Sequence, residues 1–251
     1  MKIFLILLTP VVLLALILII EAVIVSRGPR EQFINPKRTP QVFGKSDNKL
    51  KYLVMGDSTG AGQGGDYDQG IAVSTAKNLS QNYEVEFLNA SISGAKVSDV
   101  ITGQLEEGLK FNPDLILISV GANDVVKLTN PSTFEKDLGK LISKIIESNC
   151  KTKIVVTGVP EMGAIPRFAQ PLRYIAGLQT KNLNNVFDQI IKKYNLAHAP
   201  IAKITGPIFK KDKSLFAQDR FHPNNQGYAE WIKVINPVLE NELKNPNSHC
   251  K

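Results

Sequence analysis

The sequence predicts an α/β domain on a five-stranded parallel sheet covered by helices on both faces, and three observations carry that expectation. Short apolar runs recur along the chain, segments of helical period separate them, and Gly-rich polar residues follow the runs at one end. Alternating strands and helices mean βαβ units and hence a parallel sheet. Strands buried on both faces read as near-continuous apolar runs, and LILISV is one. No sequence repeat accompanies the alternation, which excludes a solenoid.

The elements follow in order. Lys51–Met55 (KYLVM) is the first strand and ends in Gly56-Asp57-Ser58; a helix is expected around Ala72–Leu79. Val85–Ala90 (VEFLNA) is the second, followed by a helix over Ser98–Lys110 with Val100, Ile101, Leu105 and Leu109 at helical intervals. Asp114–Val120 is the third, and the helix Ser132–Ser148 after it gathers Phe134, Leu138, Leu141, Ile142, Ile145 and Ile146 on one face. Lys153–Val159 is the fourth strand, Ile175–Tyr194 a long helix, Ala197–Ile201 a short fifth strand, and Asn225–Leu243 the closing helix. In such sheets ligands sit beyond the carboxyl ends of the strands, where GDS, NASISG, GAND and GVPEMG fall here.

Length and composition bound the rest. The 251 residues suit one domain, 50–245, plus a short address or anchor. With 43% hydrophobic and 21% charged residues, a packed core is expected and disorder is excluded. Of the net charge of +7, residues 1–30 carry Lys2, Arg27 and Arg30 against Glu21, leaving +5 for the remainder without blocks. No basic-aromatic stripe or zinc-finger spacing appears, so no nucleic-acid partner is expected. Cys150 and Cys250 form no CxxC; they offer neither a disulfide framework nor a Cys-rich metal site, and Cys150 reads as a buried or half-buried thiol.

Residues 1–25 read as a membrane segment. Ile3–Ile20 is uncharged over eighteen positions, long enough to span a bilayer. The apolar run exceeds a usual signal-peptide core and EAVIVSRG offers no A-x-A site, which favours an uncleaved transmembrane anchor over a removed signal. The positive charges that follow the run argue, by themselves, for a cytoplasmic domain. Residues 26–49, with three Pro and two Gly, read as a linker, and 246–251, with His249, as a disordered polar tail.

Chemistry is expected at four places. Ser58 lies in GDSTGAGQGG, where a tight turn after a strand suits a nucleophile. The Walker pattern GxxxxGK[ST] is absent and the glycines at 60, 62, 64 and 65 do not make GxGxxG, which weakens a phosphate loop. His222 stands in QDRFHPNNQGY with Asp219 three residues before it, so one loop supplies a base and a group to fix its tautomer. His198 reads as a core or edge residue of a strand. Asn123 in GAND and Gly94 in SISGAKV lie just beyond strands; with the Ser58 N–H they make a candidate oxyanion hole. Asp57 and Asp124 read as caps or braces for the loops. No metal site is expected.

Taken together, GDSTGAG, NASISG, GAND and DRFH resemble the four ordered blocks of the GDSL, or SGNH, hydrolases over about residues 50–240. Thr59 stands where the family name has Leu. The resemblance implies a flavodoxin-like three-layer α/β/α sandwich, an extracytoplasmic catalytic domain despite the flanking charges, and no cofactor. It also implies roles: Ser58 as nucleophile, His222 as base, Asp219 as its orienter, and Ser58, Gly94 and Asn123 as oxyanion donors. The expected activity is hydrolysis of carboxylic esters, lipid or small acyl; the segment PEMGAIPRFAQPLRYIAG is similar to loops of bacterial esterase-like members. A cell-envelope glycan deacetylase or acyltransferase on the same fold, and a silent membrane-tethered binding domain, are the alternatives. Oligomeric state is not legible.

Overall fold

The computed structural model describes residues 12–13, 15–21, 23–24, 33–246 and 249–250. Its centre is a six-stranded sheet: β1 (Gln41–Phe43), β2 (Lys49–Gly56), β3 (Glu84–Asn89), β4 (Leu115–Ser119), β5 (Lys153–Val156) and β6 (Ala197–His198), in spatial order β1-β3-β2-β4-β5-β6. Strands β2 to β6 pair in parallel, and β1 runs antiparallel against β3, with Val42 opposite Glu86. The five expected strands are thus present, and the sheet is mixed and six-stranded. The added strand comes from within the expected linker 26–49. Three residues have little intrinsic strand signal, and pairing with the distant β3 supplies it.

The helices are α1 (described at residues 12–13, 15–21 and 23–24), α2 (Ser58–Ala61), α3 (Ile71–Leu79), α4 (Val97–Gly103), α5 (Leu105–Lys110), α6 (Ala122–Val126), α7 (Pro131–Ser148), α8 (Leu172–Tyr194), α9 (Ile201–Lys211) and α10 (Asn225–Lys244). The expected helix over Ser98–Lys110 is divided at Gln104 into α4 and α5. α9 occupies the stretch between the expected fifth strand and the closing helix, where no element is expected from the sequence. The expected membrane span, Ile3–Ile20, lies partly outside the described residues; among those described, no helix is long and apolar enough to cross a membrane.

Strands β2 and β4 are buried almost throughout, as their apolar runs demand, and α7 turns Phe134, Leu138, Leu141, Ile142 and Ile145 into the core. Asn130 caps α7 by accepting from Ser132 N. Burying these faces is the main stabilising term, at about 25 cal/mol per Å² of apolar surface.

Both cysteines are taken up in a disulfide, Cys150–Cys250, which closes a separation of 100 residues. This corrects the reading of Cys150 as a thiol. It also ties down the expected disordered tail, where the His249 N–H donates to the Cys150 carbonyl at 2.9 Å. His198 lies half-buried on the edge strand, as expected.

Candidate active site

From β2 the chain crosses to β3 on one side, and from β3 it returns past β2 to β4 on the other, so a crevice opens between the carboxyl ends of β2 and β4. Ser58 begins α2 at the end of β2. Gly56 makes this turn possible: it has φ +156°, and a Cβ there would come 1.8 Å from the Ser119 carbonyl on β4. Its peptide is bracketed by the buried Gln104 side chain, which accepts from Gly56 N at 2.9 Å and donates to Gly56 O at 2.7 Å. Asp57 caps α2, accepting from Thr59 N at 2.9 Å and Thr59 Oγ1 at 2.8 Å. Burial raises the Asp57 carboxyl, held back by the Thr59 bonds and the charge on His222.

The loop before α10 brings the second half of the site. Asp219 Oδ1 accepts from the N–H groups of Phe221 and His222 at 2.9 and 3.0 Å, winding the loop around its own carboxylate. Asp219 Oδ2 lies 2.5 Å from His222 Nδ1, and His222 Nε2 lies 3.0 Å from Ser58 Oγ. All three residues are buried. Burial acts to raise the Asp219 carboxyl, but the hydrogen bond and charge of His222 outweigh it, and the net shift is downward. Asp219 therefore stays ionised and accepts a hydrogen bond from the Nδ1–H, a tautomer that leaves Nε2 to accept from the Ser58 hydroxyl.

The two loops are locked together. Gly64, at φ +95°, runs so close beneath the base that a Cβ would meet His222 Cβ and the Pro223 carbonyl at 2.6 Å each. Asp66 N donates to Asn225 Oδ1 at 2.7 Å, Asn225 Nδ2 donates to Asp66 Oδ2 at 2.8 Å, and the Tyr228 hydroxyl donates to Gln63 O at 2.6 Å.

The remaining expected residues lie on the neighbouring strand ends. Asn123 is on α6, after β4, where its Nδ2 donates to Ala95 O at 3.1 Å and so bridges to the loop carrying Gly94. Gly94 is exposed, with φ +85° and open space beside its Cα. Neither is hydrogen-bonded to Ser58 among the described residues. Asp124 braces the same loop from below, accepting from Val97 N at 3.1 Å.

Sequence reasoning missed the pocket. Ser58 and His222 form part of its wall, and Met162, Ile165, Phe209, Phe216, Phe221 and Trp231 supply its apolar lining. Phe209 stacks edge-on to Phe216 at 5.2 Å, and Phe221 packs edge-on to the His222 ring at 4.9 Å. Among the described residues, no group of three or more His, Cys, Asp or Glu side chains could hold a metal ion.

The GDSL-like lipase/acylhydrolase family model matches residues 54–230, spanning β2 to α10 and every residue of this hydrogen-bonded chain. The chain belongs to that family. It is 26% identical over 198 residues to a GDSL-like esterase of Mycobacterium tuberculosis, covering 76% of this chain and 62% of that protein. It is 31% identical over 115 residues to an arylesterase of Vibrio mimicus, covering 44% of this chain and 56% of that enzyme. The crystal structure of TesA superposes with a TM-score of 0.61 at 22% identity, over 76% of this chain and 99% of that one. The acetylxylan esterase Axe2 of Geobacillus stearothermophilus does so at 0.62 and 19%, over 76% and 94%. The fold is that of the SGNH/GDSL hydrolases.

Proposed function

We propose that this member of the family is a serine carboxylic-ester hydrolase acting on esters with an apolar acyl group. The reading rests on one observation: the hydrogen-bonded chain Asp219–His222–Ser58 stands in the wall of an apolar pocket. Asp219 fixes the imidazole, His222 Nε2 takes the Ser58 proton, and Ser58 Oγ attacks the ester carbonyl. Ser58 opens α2, so its N–H has no intrahelical acceptor; with the Gly94 N–H and the Asn123 amide it supplies the donors for the tetrahedral oxyanion. The alcohol leaves with the proton from His222, and water, activated by the same imidazole, releases the acid. None of these steps requires a cofactor.

The apolar lining favours an acyl chain over an acetyl group, since each buried methylene adds about 0.8 kcal/mol. The N-terminal apolar segment serves as a membrane anchor in this reading. The domain lies on the extracytoplasmic side, a placement supported by the disulfide, which persists where the compartment is oxidising.

The deciding test is hydrolysis of p-nitrophenyl esters from acetate to palmitate by the full chain and by Ser58→Ala. Turnover is expected in the first alone, with longer acyl groups preferred to acetate. Equal turnover in both would overturn the assignment.

A further inference from the structure

We propose that a cationic groove beside the acyl pocket docks this protein on an anionic lipid bilayer, so that the ester Ser58 meets is carried by a membrane lipid. The inference rests on the ester-hydrolase reading and adds the form in which the substrate is presented.

The groove lies between α8 and α9 and holds about 1370 Å³ of open space. Its basic side chains come two from each helix: Arg173 and Lys181 are eight residues apart on α8, and Lys203 and Lys210 seven apart on α9, about two turns in each case. Glu161 is the only acidic lining residue, and it is paired with Lys210 at 3.0 Å. Arg173, Lys181 and Lys203 make no ion pair among the described residues. Neighbouring Lys213 registers the same crowding, its ammonium pushed down by burial and then by the charges of Arg173 and Lys210. Uncompensated cations gathered along one cleft attract an anionic surface.

Three features make that surface a bilayer. Apolar side chains lie among the cations: Tyr174 and Leu178 line the groove at 64% and 45% exposure. Basic and apolar groups mixed on one face suit the headgroup–acyl boundary. Next, Glu21 of α1 accepts a hydrogen bond from Leu172 N at 3.0 Å, placing the apolar N-terminal segment against α8 one residue before Arg173. That segment exposes Leu13, Leu16, Ile19 and Ile20, which favour the same phase. Finally, Glu161 borders both cavities, so the groove lies beside the pocket that holds Ser58. A headgroup in the groove is therefore a neighbour of the pocket proposed for its acyl chain.

The test reconstitutes the full chain in phosphatidylcholine vesicles with or without phosphatidylglycerol. Turnover of p-nitrophenyl palmitate dissolved in the bilayer is compared with that of soluble p-nitrophenyl butyrate. For the native chain, phosphatidylglycerol is expected to raise palmitate turnover severalfold, and added salt to remove the gain. The double variant Lys181→Gln/Lys203→Gln is expected to lose that severalfold gain, with butyrate turnover unchanged. No response to phosphatidylglycerol, or an equal response in the variant, would overturn the proposal. Absence of butyrate turnover in the native chain would instead refute the hydrolase reading. Limited proteolysis of the reconstituted chain decides docking in that case: salt-sensitive protection of the α8–α9 groove on phosphatidylglycerol vesicles that the variant lacks supports it, and equal cleavage overturns it.

Discussion

His222 Nε2 lies 3.0 Å from Ser58 Oγ, although 164 residues separate the two in the chain. The contact depends on the imidazole presenting an unprotonated Nε2, which Asp219 arranges by accepting a hydrogen bond from the proton held on Nδ1. Asp219→Asn would offer an amide N–H to that nitrogen and favour the wrong tautomer. Its kcat for p-nitrophenyl butyrate is expected to fall by about 10⁴ with the circular dichroism spectrum unchanged. A loss below tenfold would show that Asp219 only shapes the loop.

Asn123 has two possible duties, bridging to Ala95 and holding an oxyanion. Only the second acts in the transition state. Asn123→Ala is expected to lower kcat by about 10²–10³ with little change in KM. A rise in KM alone would leave it as a bridge between loops.

Ile165 lines the acyl pocket and is buried, so a larger side chain there takes up acyl space. Ile165→Trp is expected to move the preferred p-nitrophenyl ester to a shorter chain, with acetate turnover nearly retained. An unchanged chain-length profile would place the acyl group elsewhere.

Burial pushes the Asp124 carboxyl up to about 6, against the lowering effect of the Val97 N–H. A carboxyl raised on folding binds its proton more tightly in the native state. Its stabilising contribution is therefore complete below the unfolded value near 3.8 and is lost as pH rises through about 6. Asp124→Asn keeps an acceptor for Val97 and removes the ionisation. Urea denaturation should find it more stable than the native chain by about 1–2 kcal/mol at about pH 8, with the difference closing at about pH 4. A difference independent of pH would refute this account.

The Cys150–Cys250 bond closes a 100-residue separation, and long loops lose the most chain entropy when tied. Cys250→Ser is expected to destabilise the domain by about 2–5 kcal/mol in thermal melts, with ester turnover at 25 °C (an assay temperature of about 298 K) unchanged. An unchanged melting temperature would show that the unlinked tail holds its place alone.

How much was legible depended on whether a signal was local. β2 and β4 were readable because both of their faces are buried, and Ser58, Asp219 and His222 because short motifs carry them. The helix α9 holds Gly206 and Pro207, which interrupt the local helical signal. In the structure Gly206 lets the helix approach Glu161, where an added Cβ would lie 3.0 Å from Glu161 Cβ. Gln104 gave no sign of its hold on Gly56, since nothing in the chain links residues 48 positions apart. The pocket was equally silent: Met162, Phe209, Phe221 and Trp231 become neighbours only once the sheet has been wound.

Gly64 lies directly beneath His222, and that close fit has a consequence for the protein's synthesis. In the proposed mechanism a growing chain carries Ser58 early but lacks His222 until the loop before α10 arrives and settles over residues 63–66. A product clipped before that loop would then hold a serine with no base beside it, and the proposed chemistry would wait on the late-made part of the fold.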